Sequence, residues 1–199
     1  MENWFAFSLA AMALLFVPGP TNTLIATNGA LIGFRSTIFL LPAELAGYLT
    51  GILGWSYGLA IAARIVPAAT TYAAIAACCA LFYSARKLWG SHERGQASVG
   101  SGSRDIFLVT LLNPKALLFT LSIVPHLRDG QILAALPYLC WLSVLVPSAG
   151  LVWTMIGAGL ALRFRFMASS RLFARIGALV LLLFVTSLFV STVVKAFDR

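Results

Sequence analysis

Two charged residues stand out because each lies well inside a long apolar stretch. Glu44 is the acidic residue in such a position, and Lys115 is the basic one. A charged side chain near the centre of a membrane helix costs at least ~2.5–3.5 kcal/mol on insertion scales, so it normally faces a protein interior. We interpret the two as candidates for charge recognition or proton transfer, and pairing between them would lower both costs. The alternative is that Glu44 lies nearer the membrane surface, where it caps a helix or snorkels.

Polar residues also accompany two proline interruptions of apolar runs. In the run from Trp4 to Ile32, Pro18-Gly19-Pro20 is followed at once by Thr21 and Asn22, and a later run is interrupted by Asn113-Pro114-Lys115. Proline removes a backbone donor, and its ring clashes with an earlier carbonyl group. Both runs are therefore predicted to break at membrane depth, where the freed groups must face protein or a water-filled cavity.

These breaks can be interpreted in two ways. Prolines are common in membrane helices, so each break could be a simple kink. Interrupted helices at matching positions in two halves of a chain are instead typical of a transporter's binding site at the membrane midplane. Thr21, Asn22 and Asn113 could then bind the carboxylate and ammonium groups of a zwitterion, or they could satisfy the broken backbone. The presence of two matched breaks favours the functional reading.

Composition predicts a polytopic membrane protein. The chain has 199 residues, of which 60% are hydrophobic and 10% are charged, and its mean hydropathy is +0.93. Soluble domains are about 45–50% apolar and about 25% charged. One crossing needs about 20 apolar residues, so the length allows roughly six. The net charge of +8 does not indicate nucleic-acid binding, because basic residues cluster in the cytoplasmic loops of membrane proteins.

We therefore predict an all-α fold with six transmembrane helices in a single domain over residues 1–199. The second span carries small residues at Gly47, Gly51 and Gly54, which would let a neighbouring helix approach closely and would permit a homodimer. A first repeat over 1–90 and a second over 105–199 flank a polar loop at 91–104, and three spans per repeat make the repeats inverted, with helices 1 and 4 broken. The predicted spans are Trp4–Ala30, Thr37–Ala62, Ala68–Leu88, Ile106–Leu127, Ile132–Leu162 and Ile176–Val194.

The distribution of basic residues predicts the orientation. The loops after the first, third and fifth spans hold nine Lys and Arg residues, and the opposite side holds four. An excess of basic residues marks the cytoplasmic side, so both termini are predicted to lie on the non-cytoplasmic side. The nine are Arg35, Arg86, Lys87, Arg94, Arg104, Arg163, Arg165, Arg171 and Arg175, and the four are Arg64, Arg128, Lys195 and Arg199.

No motif for enzyme chemistry appears in the sequence. There is no GxSxG nucleophile elbow, no HExxH zinc pair and no phosphate-binding glycine loop. Cys78, Cys79 and Cys140 lack metal-ligand spacing, and neither His92 nor His126 has an evident catalytic partner. We expect no enzyme activity, no bound metal and no cofactor.

Two motifs resemble those of the LysE/RhtB family of amino-acid exporters. The stretch Val17-Pro18-Gly19-Pro20-Thr21-Asn22-Thr23-Leu24 is similar to the family's PGPN-T-L motif, with Thr21 inserted before the asparagine. The stretch Asn113-Pro114-Lys115-Ala116 resembles its N-P-K-A signature. The resemblance covers nearly the whole chain. It implies a secondary transporter of the inner (plasma) membrane that exports amino acids or related small metabolites, coupled to proton exchange.

One departure from the family concerns the second span. The family often has an acidic residue directly after the glycine of this span, whereas here Gly47 is followed by Tyr48. The acidic residue is Glu44, about one helical turn earlier, from where it could reach the same cavity. The resemblance therefore adds Tyr48 to the candidate site residues, which are Pro18, Gly19, Pro20, Thr21, Asn22, Glu44, Tyr48, Asn113, Pro114 and Lys115.

Three other functions remain open at this point. A transporter of another solute or of a cation would favour several acidic residues inside the spans. An intramembrane enzyme would need a nucleophile with its base, or a metal cluster. A membrane scaffold would need no polar groups at matched breaks. The expected partners of the favoured reading are an amino-acid-like small molecule and the lipid bilayer.

Overall fold

The described part of the protein is all-helical. The computed structural model describes residues 4–66, 68–90, 101–124, 127 and 131–162, with six further positions at 179, 182, 183, 186, 189 and 190. Outside the described residues lie most of the predicted sixth span, the basic loop before it, most of the polar loop, His92 and His126. The helices are α1 (Trp4–Phe16), α2 (Pro20–Ile38), α3 (Leu41–Ile65), α4 (Ala69–Gly90), α5 (Ser103–Leu111), α6 (Pro114–Leu118) and α7 (Ile132–Leu162), with a π-helical turn at Phe119–Ile123.

Two described helices, Leu41–Ile65 and Ile132–Gly159, have the length and composition needed to cross a membrane. The pair α1 and α2 makes a third span if its two parts, which meet at 63°, are one broken span. The bent pair confirms the predicted interruption of the first span. The total of six spans and the inverted repeat remain predictions.

The ends of the second predicted span are shifted in the structure. We predicted that it begins at Thr37, but α2 continues to Ile38 and α3 begins only at Leu41. Gly33 has φ of 82°, a left-handed conformation that glycine adopts without steric cost, so the range Pro20–Ile38 is two helical segments that meet at a kink at Gly33. The hydroxyl of Thr37 then donates to the carbonyl of Gly33 at 2.9 Å and holds the next turn. Hydropathy alone cannot mark this boundary, because both sides of it are apolar.

Glycines allow the closest approach between helices. A Cβ built at Gly157 on α7 would overlap the carbonyl oxygen of Ala26 on α2, and one at Gly29 would lie 2.5 Å from the carbonyl oxygen of Thr154. α2 therefore packs along α7 with nearly touching backbones. Large apolar side chains such as Phe5 and Phe39 are exposed on the outside, as expected for a surface that faces lipid.

The glycine face of α3 packs against α5 and α6. A Cβ at Gly47 would lie 2.7 Å from Cβ of Thr110, and one at Gly51 would lie 3.0 Å from Cβ of Ala116. These two contacts confirm the predicted close approach of a neighbouring helix. No described atom lies within 4 Å of a Cβ built at Gly54, so the described residues do not test the prediction for that glycine. Because the face of Gly47 and Gly51 is covered within the chain, the homodimer remains a prediction without that support.

Candidate functional site at two helix breaks

The first break separates α1 from α2. α1 ends at Phe16, and Pro20 occupies the first turn of α2, where its missing N–H costs nothing. Gly19 precedes it with extended backbone and no side-chain cap. Pro18 and Pro20 cannot donate to the carbonyl groups behind them, so the last carbonyls of α1 are left without intrahelical partners.

Asn22 satisfies these carbonyls from the first turn of α2. Its Nδ2 donates to the carbonyl oxygen of Leu15 at 2.6 Å and to that of Val17 at 2.8 Å. The side chain is buried, so both hydrogen bonds lie away from solvent. The sequence left open whether Asn22 binds a solute or satisfies the broken backbone. In the structure its amide nitrogen satisfies the backbone.

The second break separates α5 from α6 and is capped by its own residue. Asn113 precedes Pro114, which begins α6, and its Oδ1 accepts the backbone N–H of Lys115 at 3.0 Å. This is an N-cap, in which a side-chain oxygen takes up an unpaired donor of the first turn. A π-helical turn follows α6 directly, a conformation that occurs frequently at functional sites.

Side chains of the second break reach the first break. Nδ2 of Asn113 donates to Oγ1 of Thr21 at 3.1 Å, and the hydroxyls of Thr21 and Thr110 are hydrogen-bonded at 3.1 Å. All three residues are buried. Thr110, on α5, was not identified from the sequence, because nothing separates it from the other small polar residues of apolar helices until its neighbours are known.

Lys115 makes the shortest of the described hydrogen bonds between the breaks. Its side chain is only 3% exposed, and Nζ donates to the carbonyl oxygen of Val17 at 2.5 Å. That oxygen also accepts from Asn22, so both of its lone pairs are used. A Cβ at Gly19 would lie 3.3 Å from Cε of Lys115. Gly19 therefore leaves room for the lysine to lie across the break.

Glu44 and Tyr48 approach the breaks from α3. Their side chains are 1% and 0% exposed. Oε2 of Glu44 and the hydroxyl of Tyr48 have no hydrogen-bond partner among the described residues. The ring of Tyr48 meets that of Phe119 edge to face at 5.9 Å, which seats it against the π-helical turn. Glu44 is thus buried within the protein, in the first turn of α3, and its depth in the membrane stays a prediction.

The structure does not show the ion pair that we considered between Glu44 and Lys115. The two charges interact electrostatically, but no contact between their charged atoms is found in the described ranges, and the ammonium of Lys115 takes a carbonyl oxygen instead. The reason is local: the break frees the carbonyl of Val17 within reach of the lysine. Among the residues that the structure describes, neither charged side chain has an oppositely charged partner at hydrogen-bonding distance.

The described residues offer no metal site. No group of three or more His, Cys, Asp or Glu side chains in these ranges could hold an ion. The polar atoms that converge at the breaks are amides, hydroxyls, one ammonium and one carboxylate. Such a set can bind a small polar solute by hydrogen bonds and charge.

Comparison with protein families gives one match. Residues 12–192 match the family described as LysE type translocator. The chain belongs to this family. The match covers both breaks, α3 and α7, so the translocator assignment applies to the whole described site. No match to this translocator occurs among curated proteins or among solved structures. The family is one of transporters rather than enzymes. Membership implies that the chain is a membrane protein that exports small solutes.

Proposed function

We propose that this translocator is a secondary transporter that exports amino acids or related small metabolites across the cytoplasmic membrane in exchange for protons. The family supports export of small solutes such as amino acids. The substrate class and the proton coupling are inferred from the charged groups at the breaks. The transport cycle would be alternating access around a site between the two breaks and α3.

The observation that carries this proposal is the bond from Nζ of Lys115 to the carbonyl of Val17. It places a buried ammonium between the two breaks, and a lysine ammonium has three donors, of which this bond uses one. The remaining donors can bind a carboxylate. Glu44 can bind the opposite charge or a proton, because Oε2 is unpartnered among the described residues. A solute that carries both charges complements this pair.

The residues of the breaks would shape the site in this proposal. Asn22, Thr21 and Asn113 hold the freed backbone in place, while Pro18, Gly19, Pro20 and Pro114 set the interruptions. Tyr48 would contribute a hydroxyl beside Glu44. The inner-membrane location and the placement of both termini outside the cytoplasm belong to the same proposal, and labelling of single cysteines near each terminus with an impermeant reagent in intact cells would test the orientation.

Efflux from proteoliposomes tests the function. Vesicles preloaded with each of the radiolabelled L-amino acids in turn would be followed with and without a proton gradient, for the wild type, Glu44→Gln and Lys115→Ala. We expect gradient-dependent efflux of at least one amino acid, and a loss of about tenfold or more in both variants, the effect of removing a charge-assisted hydrogen bond.

Gly54→Ala provides a matched control on α3, because no described atom lies near the added methyl group. Wild-type efflux in both charge variants would remove their proposed roles. Flux of Na⁺ or K⁺ without amino-acid efflux would contradict the substrate class and favour a cation transporter.

A further inference from the structure

Two unpartnered polar atoms lie on one face of α3. Glu44 and Tyr48 are four residues apart, which places their side chains on adjacent turns of the same face. Oε2 of Glu44 and the hydroxyl of Tyr48 are both buried and have no hydrogen-bond partner in the described ranges. Buried polar atoms without partners are costly and uncommon, and each one needs a reason. A bound group that satisfies both atoms would be such a reason.

The missing side chain of Gly150 sets the position of the carboxylate. A Cβ at residue 150 on α7 would lie 2.5 Å from Oε2 of Glu44 and 2.7 Å from Cδ2 of Leu41. Both distances are shorter than real van der Waals contacts allow. Glu44 can therefore hold its present position, one turn before Tyr48 on α3, only because residue 150 has no side chain.

Another glycine of α7 shows that this contact is distinct from helix packing. At Gly157, the built Cβ overlaps the backbone carbonyl of Ala26, which cannot move without moving α2. At Gly150, the overlap involves the ends of two side chains, which can rotate away. A methyl group at residue 150 would thus be accommodated by displacing the carboxylate, while α7 stays in place.

We propose that Gly150 is a positioning residue that determines substrate specificity: it holds the Glu44 carboxylate in place on the face of α3 that also carries Tyr48, and the carboxylate and the Tyr48 hydroxyl together form the half-site for a primary ammonium group. This inference rests on the proposed transport function and names the chemistry of one end of the solute. A primary ammonium has three donors, and the carboxylate and phenol oxygens supply acceptors for it. Lys115, which has only donors, repels an ammonium and takes the solute's carboxylate. The solute is oriented with its amino group toward α3 and α7.

A pair of compensating size changes at residues 44 and 150 tests the inference. Gly150→Ala, Glu44→Asp and the double variant would be compared with the wild type in proteoliposomes, using the radiolabelled L-amino acid that the wild type exports fastest. Because Gly150→Ala displaces the carboxylate, we expect its KM to rise about tenfold, as for the loss of one charge-assisted hydrogen bond, with little change in the maximal rate. Aspartate is one methylene shorter, so the double variant should have a lower KM than Gly150→Ala.

Several outcomes would overturn the inference. An unchanged KM in Gly150→Ala would do so, and so would a double variant whose KM is raised by the product of the two single effects. The N-acetyl derivative of the same amino acid lacks the ammonium group, so it should not compete for export. Equal competition by the derivative would show that the amino group is not recognised. Gly54→Ala should match the wild type, because its methyl group meets no described atom.

A second readout does not depend on transport. Dicyclohexylcarbodiimide labels carboxyl groups within membranes, and mass spectrometry can follow the labelling rate at Glu44. We expect Gly150→Ala to change this rate relative to Gly54→Ala, and an unchanged rate would overturn the positioning role. Absence of amino-acid efflux from the wild type would instead contradict the proposed function, so the two failures can be told apart.

Discussion

The two helix breaks resemble each other in their prolines but differ in which residues satisfy their freed polar groups. In each break, proline starts the following helix, as Pro20 in α2 and Pro114 in α6. The second break is capped from within, because Asn113 accepts the N–H of Lys115. In the first break, Gly19 offers no side-chain cap, and the carbonyl groups must find donors elsewhere.

The bonds of Asn113 and Lys115 between the breaks run in one direction. Asn113 donates to Thr21, and Lys115 donates to the carbonyl of Val17. In these two bonds the first break accepts and the second break donates. Breaks at matched sequence positions can therefore be stabilised in different ways. The second break is capped by its own Asn113, and the first is stabilised partly by residues of the second.

The substitution with the largest expected effect on the bonds between the breaks is Lys115→Met. The variant keeps an apolar chain of similar length and removes the ammonium that binds Val17. We expect transport to fall about a hundredfold, because hydrogen bonds to charged groups contribute about 1.5–3 kcal/mol and 1.4 kcal/mol is a factor of ten. Unfolding stability should fall less, since burying an ammonium is itself costly. Efflux rate and thermal unfolding in detergent measure the two effects.

Lys115→Arg is the matched control for charge. It retains a cation but must fit a larger head beside Gly19, so we expect transport between those of the wild type and Lys115→Met. If the methionine variant transports at the wild-type rate, the bond between the breaks has no functional role.

The next largest effect should come from Asn22→Ala. This substitution leaves the carbonyl of Leu15 without its donor and Val17 with only Lys115. An unsatisfied buried polar group costs about 1–3 kcal/mol, so the free energy of unfolding should fall by about 2 kcal/mol. Thr23→Ala on the exposed side of the same turn is the control and should change it by less than about 0.5 kcal/mol. Equal losses in the two variants would contradict the assigned bonds.

The sequence predicted the places of the breaks because proline chemistry is local. Pro20 and Pro114 interrupt their runs whatever surrounds them, and the bounds of α7, Ile132–Leu162, match the predicted fifth span. The partner of Lys115 was not predicted. Opposite charge pointed to Glu44, whereas the bonded atom is a backbone oxygen 98 residues away. Every residue has a backbone carbonyl, so the residue type does not show which carbonyl binds the lysine, and only the fold does.

The role of Gly150 was hidden for a related reason. Its significance lies in the absence of a side chain opposite Glu44, and the sequence offers 16 glycines without saying which one faces a carboxylate. Thr110 was equally inconspicuous. The candidate residues themselves were predictable from polarity in apolar runs, while their bonding partners depended on how α3, α5 and α7 pack.

A pair of substitutions at Asn113 separates its two tasks. Asn113→Ala removes both the cap of α6 and the bond to Thr21, and the loss of an N-cap alone costs about 0.5–2 kcal/mol. Asn113→Ser keeps an oxygen for the cap without adding a charge, and its shorter side chain loses the bond to Thr21. We therefore expect a loss of about 1.5 kcal/mol for alanine and less for serine in the free energy of unfolding. A larger loss for serine than for alanine would show that the capping role is misassigned.

The smallest effect should come from Thr21→Val, which tests the acceptor side of the same bond. Valine has nearly the shape of threonine, so packing is preserved and only the hydroxyl is lost. Thr110 keeps its bond to the carbonyl of Ile106 at 2.7 Å, so Nδ2 of Asn113 is the group left without a partner. We expect a loss of about 1 kcal/mol in unfolding free energy. The double variant with Asn113→Ser should lose less than the sum of the single losses, because both remove one shared bond. Additive losses would mean that Thr21 and Asn113 act separately, and that Lys115 alone joins the two breaks.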